Sequence, residues 1–467
     1  MKRVHFLGIN GSGIVGVACL AKLNGYSVSG CDLTSAGNYS KQLLELGIEV
    51  EVGHSKEHLK NQDMLVVSPA IFFNNRYKQI DEVVEALDTN LPVLKWQDFL
   101  DKYLMENREL IAICGTHGKT STTTITANLL EDLGYKISAI IGGINPRWDA
   151  TFQNSDGKYF VCEADEYGSN FHSYHPNYVI FNNIEMEHPE YFNNYVEYEN
   201  NFINFFKNIK REGALVFNYD DKNALETILK ARSAFFEQNI RIVGFSQKTT
   251  KSEYEFIKIK EYKPKGNSSF VFNNVEYNMK NIGGEHNIFN VVGVLSLADE
   301  LKLRGDFRAP IENAVLPKRR MELVLNKGRI KLYDDYAHHH TQVYYNISSL
   351  RQIREGGEKI IAILEPHLIS RFEQNPKEYL DFMEMADYPI ITKFFKSRES
   401  FLPDLDMSKY LKDRRVVYIE DFSDVLERVK EIINLKENVG INFRVVVMGA
   451  GLSYKLTENI KNFYAQE

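Results

Sequence analysis

Residues 110–124 read LIAICGTHGKTSTTT, and this succession of residue types leaves few folds open. The apolar run 110–114 suits a strand buried on both faces, as in parallel sheets. Gly115 and Gly118 bracket a sharp turn, after which residues 121–130 can continue as a helix. This order predicts a phosphate cradle. Glycines let backbone N–H groups approach phosphate oxygens, a helix N-terminus favours negative charge, Lys119 adds a point charge, and the Thr120 hydroxyl can ligate Mg²⁺. The strict G-x-x-x-x-G-K-[ST] pattern is not met, because Ile113 stands where its first glycine belongs. Strand, turn and hydroxyl-rich helix start together still point to phosphate binding by Gly115, Thr116, His117, Gly118, Lys119, Thr120 and Ser121.

A second glycine turn lies near the N-terminus. A predicted strand at 3–7 runs into GINGSGIVG at 8–16, then a small-residue helix at 17–23 and a strand at 26–30 that ends at Asp32. Gly11, Gly13 and Gly16 have the spacing of a dinucleotide fingerprint, with an acid at the tip of the next strand where ribose hydroxyls are read. A phosphate-bearing nucleotide is expected here, without its identity. Apolar runs 64–67 and 92–94 extend the parallel sheet, and Ser68, Pro69 and Ala70 fall at its carboxyl end, where open α/β sheets bind ligands. A boundary falls near Gln97, before a helical stretch 98–106.

Beyond the cradle, strand 159–162 runs into Glu163, Ala164, Asp165 and Glu166, and strand 178–181 into NNIEMEH, residues 182–188. Both clusters stand just past a buried strand, at the sheet edge to which the cradle points. A Mg²⁺–nucleotide site follows, since such an ion takes only a few protein oxygens. Residues 251–279 alternate in short runs and predict hairpins. GGEHNIFN at 283–290 opens an apolar helix at 291–301, in which His286 and Asn287 alone would read as a cap or as satisfied buried polar groups.

From residue 317 the alternation of strands and helices resumes. Strand 329–332 ends in DDYAHHH, strand 359–364 in EPHLISR and strand 444–448 in Gly449, Ala450 and Gly451. Three successive histidines on an extended segment face alternate sides, so they cannot all reach one ion. At roughly 150 residues per domain, the length predicts three domains with mostly parallel sheets.

Charge removes some partners from consideration. Lys and Arg number 56 against 63 Asp and Glu, a net charge of -7, so no basic field invites nucleic acid. No apolar run approaches the roughly 18 residues of a membrane span, and the first is too short for a signal core. A cytoplasmic protein is expected. Cys19, Cys31, Cys114 and Cys162 are widely spaced without C-x-x-C, which predicts reduced, buried thiols over a metal site or a disulfide framework.

GINGSGIVG, GTHGKTSTT, EADEYGSNF, NNIEMEH, GEHNIFN, KRRME, DDYAHH and EPHLISR, in this order, resemble the motifs of the Mur ligases over essentially the whole chain. The resemblance implies three α/β domains: a Rossmann-like UDP-sugar domain at 1–97, a central P-loop ATPase-type domain at 98–316, and a Rossmann-like amino-substrate and closure domain at 317–467. It implies ATP-dependent joining of UDP-N-acetylmuramate to L-alanine in peptidoglycan synthesis. The alternative is the recycled tripeptide L-Ala-D-Glu-meso-diaminopimelate, and a non-ligase P-loop ATPase is the remote one. Gly11, Ser12, Gly13, Gly16, Asp32 and Ser68 would meet the sugar nucleotide. Lys119 would contact the β- and γ-phosphates of ATP, Thr120 and Glu163 would hold Mg²⁺, and His188 a second Mg²⁺. Asn183, His286, Asn287, Asn290, Arg320 and Asp335 would complete the ATP site. Lys119, Glu163, His188, His339, His367 and Arg371 form the implied catalytic set, with His367 and Arg371 facing the amino acid. Glu187, His340 and the pair Leu368 and Ile369 depart from the family pattern, the last pair in the amino-substrate region. Small-molecule substrates, no nucleic-acid or membrane partner, and a monomer or weak homodimer are expected.

Overall fold

Short apolar runs separated by glycine turns and amphipathic helices fold here into three sheets, the expected α/β class. The computed structural model describes residues 2–35, 37, 39–69, 71, 79–188, 191–399 and 402–466; Ala70, expected at a ligand-binding strand end, lies outside them.

The first sheet contains β1 (Arg3–Leu7), β2 (Ser27–Asp32), β3 (Val50–Val52), β4 (Met64–Val67) and β5 (Val93–Lys95). They pair in parallel in the order β3-β2-β1-β4-β5. The order reverses beside β1, and the glycine turn leaves β1 at that switch point, where open sheets form ligand crevices. The helix that follows begins at Ser12, earlier than the expected residue 17, because the small residues of the turn already adopt helical geometry.

The second sheet contains β6 (Glu109–Cys114), β7 (Ile137–Asn145), β8 (Ala150–Gln153), β9 (Tyr159–Glu163), β10 (Tyr178–Phe181), β11 (Ala214–Asn218), β12 (Arg241–Ser246), β13 (Ile257–Pro264), β14 (Ser269–Phe272) and β15 (Val275–Asn278). Its order is β15-β14-β13-β12-β11-β10-β6-β9-β7-β8. The expected hairpins are the antiparallel β13, β14 and β15. The β7–β8 hairpin was not foreseen. The third sheet contains β16 (Glu322–Lys327), β17 (Ile330–Asp335), β18 (Lys359–Leu364), β19 (Tyr388–Thr392), β20 (Val417–Ile419) and β21 (Phe443–Met448), ordered β16-β17-β21-β18-β19-β20. Pairing of Asp334 with Val447 and Asp335 with Met448 draws both aspartates of DDYAHHH into β17, which runs beyond the expected strand end at residue 332.

Met1–Glu187, Tyr191–Ile282 and Asn287–Pro317 form one compact unit, and His188–Glu190, Gly283–His286 and Lys318–Glu467 the other. In the first unit a continuous buried cluster runs from Val4 and Phe6 of β1 through Phe99 to Ala112, Phe160 and Phe181 of the second sheet. The helix Ser12–Leu23 lies between the sheets: a side chain at Gly16 would come within 3.3 Å of Thr151 Oγ1. Beside it the Thr151 N–H and hydroxyl donate to buried Gln42 Oε1 at 2.8 and 3.0 Å. In the second unit Arg444 of β21 donates through Nε to Glu358 Oε2 at 2.5 Å, and both residues are buried.

Replacing Gln42 by Met keeps the volume but leaves the buried Thr151 N–H without its acceptor. Unfolding in urea should show a loss of about 1–3 kcal/mol; unchanged stability would mean that the bridge does not help to join the two sheets.

Candidate active site

The cradle is shaped by the strand next to it. Parallel pairing sets Cys114 of β6 beside Phe181 of β10 and Ile113 beside Glu163 of β9, so three chain segments leave the sheet at one edge. Asn182 and Asn183 then clamp the loop. Thr116 N donates to Asn183 O at 3.1 Å and His117 N to Asn183 Oδ1 at 2.8 Å, while both asparagine amides donate to His117 O at 3.1 Å. Gly115 and Gly118 have φ of 127° and 80°, and Cβ atoms there would lie 2.8 Å from Asn183 O and 2.6 Å from Asn290 Oδ1. Only glycine fits both the backbone and the space. Gly118 caps the helix Lys119–Asp132, whose N-terminus carries no side-chain cap, so its dipole and first N–H groups face the loop as an anion-binding arrangement would require.

Lys119 is held inside this loop. Its Nζ donates to Gly115 O at 2.7 Å, Thr116 O at 3.3 Å, and both carboxylate oxygens of Glu166 at 3.1 and 2.8 Å. Burial pulls the lysine pKa down, but Glu166, followed by Asp165 and Glu163, outweighs it and raises the net value. Glu166 is itself buried and also accepts from the Tyr198 hydroxyl at 3.2 Å. That hydroxyl is 2.9 Å from Thr116 Oγ1, so a polar chain links the loop, tyrosine and carboxylate. His117 Nε2 lies 2.9 Å from Glu185 Oε2.

Thr120 and Glu163, the expected metal pair, do meet: the Thr120 hydroxyl is 3.3 Å from Glu163 Oε2, and Gly142 N holds Glu163 Oε1 at 2.6 Å. Adjacent oxygens on an octahedral Mg²⁺ with bonds of about 2.1 Å stand roughly 3 Å apart, so this pair fits such an ion. Asn287 and Asn290 are buried on the helix Glu285–Glu300, 3.4 Å apart, with Asn290 against the cradle at Gly118.

At the first sheet the glycines divide their work. Gly11 caps the helix Ser12–Leu23; a Cβ at Gly13 would come 2.7 Å from the Trp96 ring, and Gly16 faces Thr151. Asp32 Oδ2 accepts from Asn10 N at 2.9 Å and so closes the turn. Ser68 N donates to Leu7 O at 3.1 Å, which puts Ser68 at the carboxyl end of β4 beside the turn.

In the second unit, Asp335 accepts from Met321 N at 2.6 Å and Ala337 N at 2.7 Å, and the Arg320 guanidinium lies 5.4 Å above the Tyr336 ring. His339 is buried and caps the helix His340–Ile353, sharing a capping box with Gln342. His338 packs edge-on against His367 at 5.5 Å. Buried Arg371 places Nη1 2.8 Å from His367 Nδ1, on a turn where Leu368 has φ of 68° and Glu399 accepts from Ile369 N at 2.7 Å. His367 and Arg371 are therefore brought together. His286 is half-buried against Tyr345, ring centroids 5.1 Å apart, and desolvation lowers its pKa to about 4. His188 adopts a left-handed backbone, φ 58°.

The sequence reading singled out Glu163 and passed over Glu166, three residues on, although both stand in one acidic cluster. It gives no role to Tyr198, and includes Asn182 and Glu185 only as members of the second cluster. The signal for Glu166 was that cluster following a strand adjacent to the lysine; nothing in the sequence distinguishes which carboxylate turns inward.

The sequence matches three family models: "Mur ligase family, catalytic domain" over residues 3–108, "Mur ligase middle domain" over 113–298, and "Mur ligase, glutamate ligase domain" over 319–451. It is 29% identical over 438 residues to a UDP-N-acetylmuramate–L-alanine ligase of Caldicellulosiruptor bescii, covering 91% of this chain and 92% of that one. Among solved structures, the fold is shared with a UDP-N-acetylmuramate–alanine ligase of Thermotoga maritima (22% identity, TM-score 0.77, 100% of both chains). A murein peptide ligase of Psychrobacter arcticus shares it too (21% identity, TM-score 0.68, 100% of this chain and 99% of that one).

Replacing Glu166 by Gln should cost about 3–5 kcal/mol at neutral pH, because a buried ammonium loses its counter-charge. The pKa of Lys119 is raised on folding, so the pair stabilises fully below the ordinary lysine value near 10.4 and its contribution is lost as pH rises through the folded value. Denaturant titrations from about pH 7 to 11 should therefore show a steeper alkaline decline in the parent than in Glu166→Gln. Equal slopes would deny the pairing.

Proposed function

The chain belongs to the Mur ligase family, and we propose that it is the ATP-dependent carbon–nitrogen ligase joining the carboxylate of UDP-N-acetylmuramate to the amine of L-alanine, in peptidoglycan precursor synthesis. The observation that carries this reading is the glycine cradle closed on Lys119 beside the Thr120 and Glu163 pair. Full-length relatives with the alanine ligase name support the choice of acceptor.

Residues 1–97 are proposed to bind the UDP-sugar through Gly11, Ser12, Gly13, Gly16, Asp32 and Ser68, residues 98–316 to bind ATP, and residues 317–467 to serve as the amino-substrate and closure domain. His286, Asn287 and Asn290 are assigned to the adenine, and Arg320 and Asp335 to further contacts with the nucleotide. Thr120 and Glu163 would hold Mg²⁺, and His188 a second ion. The metal would neutralise polyphosphate charge where ATP and the sugar carboxylate meet. No helix among the described residues is long and apolar enough to cross a membrane, in keeping with a proposed cytoplasmic enzyme that works on small molecules as a monomer or weak homodimer.

A carboxylate does not react usefully with an amine at neutral pH. The γ-phosphoryl group is therefore transferred first to the lactyl carboxylate, forming an acyl phosphate; the amine nitrogen then attacks its carbonyl carbon, phosphate leaves, and the surplus ammonium proton is shed. Lys119 and the uncapped helix N-terminus stabilise charge on the transferring group. Glu166 keeps the ammonium charged and held inside the loop. Arg371 is proposed to meet the amino acid carboxylate with His367, whose ring it orients.

Phosphate release from ATP with UDP-N-acetylmuramate and Mg²⁺ should be stimulated by L-alanine above L-serine and glycine. Stimulation only by L-Ala-D-Glu-meso-diaminopimelate would instead establish the recycling reaction, and ATP turnover indifferent to any amine would overturn the ligase reading. Lys119→Ala should lower turnover by at least about 10³-fold while UDP-N-acetylmuramate binding, followed by calorimetry, stays within about twofold because different sheets hold the two nucleotides. Equal loss of both would contradict the division of sites.

A further inference from the structure

His5, Cys31, His58 and Glu82 converge on the face of the first sheet opposite the helix Ser12–Leu23. Alternation along β1 sends Val4 and Phe6 into the main core and His5 and Leu7 to the other side. There the short turn Lys56–Leu59 supplies His58 and the helix Asp81–Asp88 supplies Glu82. One ligand-type atom of each residue lies within 4.8 Å of all the others. His5 Nε2 is 3.3 Å from Cys31 Sγ, Cys31 Sγ is 3.2 Å from Glu82 Oε1, and His58 Nδ1 is 2.8 Å from the same oxygen. Bonds of about 2.0–2.3 Å to a tetrahedral ion would set neighbouring ligand atoms roughly 3.3–3.8 Å apart, so small shifts suffice.

We propose that these four side chains form a binding site for one tetrahedral transition-metal cation of the Zn²⁺ class, distinct from the nucleotide cradle. Three further observations support it. Both imidazoles are oriented from behind: His5 Nδ1 is 2.8 Å from Ser29 Oγ, and His58 Nε2 is 3.1 Å from Glu51 Oε2, leaving the other nitrogen of each turned to the cluster. This is the outer arrangement that fixes metal-binding histidines. Glu82 is fully buried, yet its Oε2 has no hydrogen-bond partner among the described residues, while Oε1 receives Cys31, His58 and Ser55 N at 2.9 Å. Finally, the charges balance. A divalent ion displaces the Cys31 thiol proton to solvent and is neutralised by one thiolate and one carboxylate, with two neutral imidazoles completing the set.

The ion would also brace the neighbouring turn. Cys31 O accepts from Gly8 N at 2.9 Å and Ile9 N at 3.2 Å, at the start of GINGSGIVG. Fixing the cysteine therefore fixes the turn to which the sugar nucleotide is assigned.

Cobalt(II) titrated into the full, untagged chain after chelation tests the site. One equivalent should produce a thiolate-to-cobalt charge-transfer band with tetrahedral visible absorption, and Zn²⁺ should abolish both. Cobalt at Thr120 and Glu163 would give neither, since those ligands are oxygens. Cys31→Ser should remove the band, and His58→Gln, altering only a short turn, should weaken Co²⁺ binding about tenfold or more. Absence of the band in the parent protein, its survival in Cys31→Ser, or unchanged affinity in a folded His58→Gln would each overturn the proposal; the parent titration decides even if a variant fails to fold.

Discussion

The register between β6, β9 and β10 is the constraint on which the cradle depends. Parallel strands cannot be joined by tight turns, so each leaves the sheet at the same edge and hands its next residues to a loop. Because Ile113 lies beside Glu163 and Cys114 beside Phe181, the glycine loop, the acidic cluster and the asparagine pair emerge within a hydrogen bond of one another. A one-residue slip would turn each strand's side chains to the opposite face. Sheet geometry, more than any loop's own preference, sets the distance between Lys119 and the carboxylates.

Those carboxylates do different work. Glu163 is tethered by Gly142 N and reaches Thr120, whereas Glu166 is buried and takes the lysine. A cation in a loop built for anions would otherwise face only carbonyls and helix N–H groups. The inward carboxylate lets the ammonium remain charged in a largely dry place, and its link through Tyr198 to Thr116 makes the loop and its counter-ion parts of one polar network.

Much of this was legible in the sequence because it is local. Short apolar runs bounded by glycine or acids gave the strands ending at Cys114, Phe181 and Leu364, and the motif order gave the family. What was hidden depends on residues far apart in the chain or on which way a side chain turns. Glu166 could not be told from Glu163 without the path of the chain beyond β9. The pairing of Gln42 with Thr151 spans 109 residues, and no motif encodes it. Cys31 read as an inert buried thiol, since His5, His58 and Glu82 lie on separate elements and have none of the short spacings that betray a metal site in a sequence. The glycine spacing at 11–16 also carries packing that no motif states: a Cβ at Gly13 would come 2.7 Å from the Trp96 ring and one at Gly16 3.3 Å from Thr151 Oγ1. A fingerprint can record helix packing as much as ligand approach.

The buried cluster that passes from Val4 through Phe99 to Phe181 has a consequence for how this molecule comes apart. Two sheets that share one apolar interior, with a helix wedged between them, have the contacts of one cooperative unit despite their separate topologies. A lesion beside the amino-terminal turn should then lower the survival of the ATP cradle at elevated temperature without touching any atom of it.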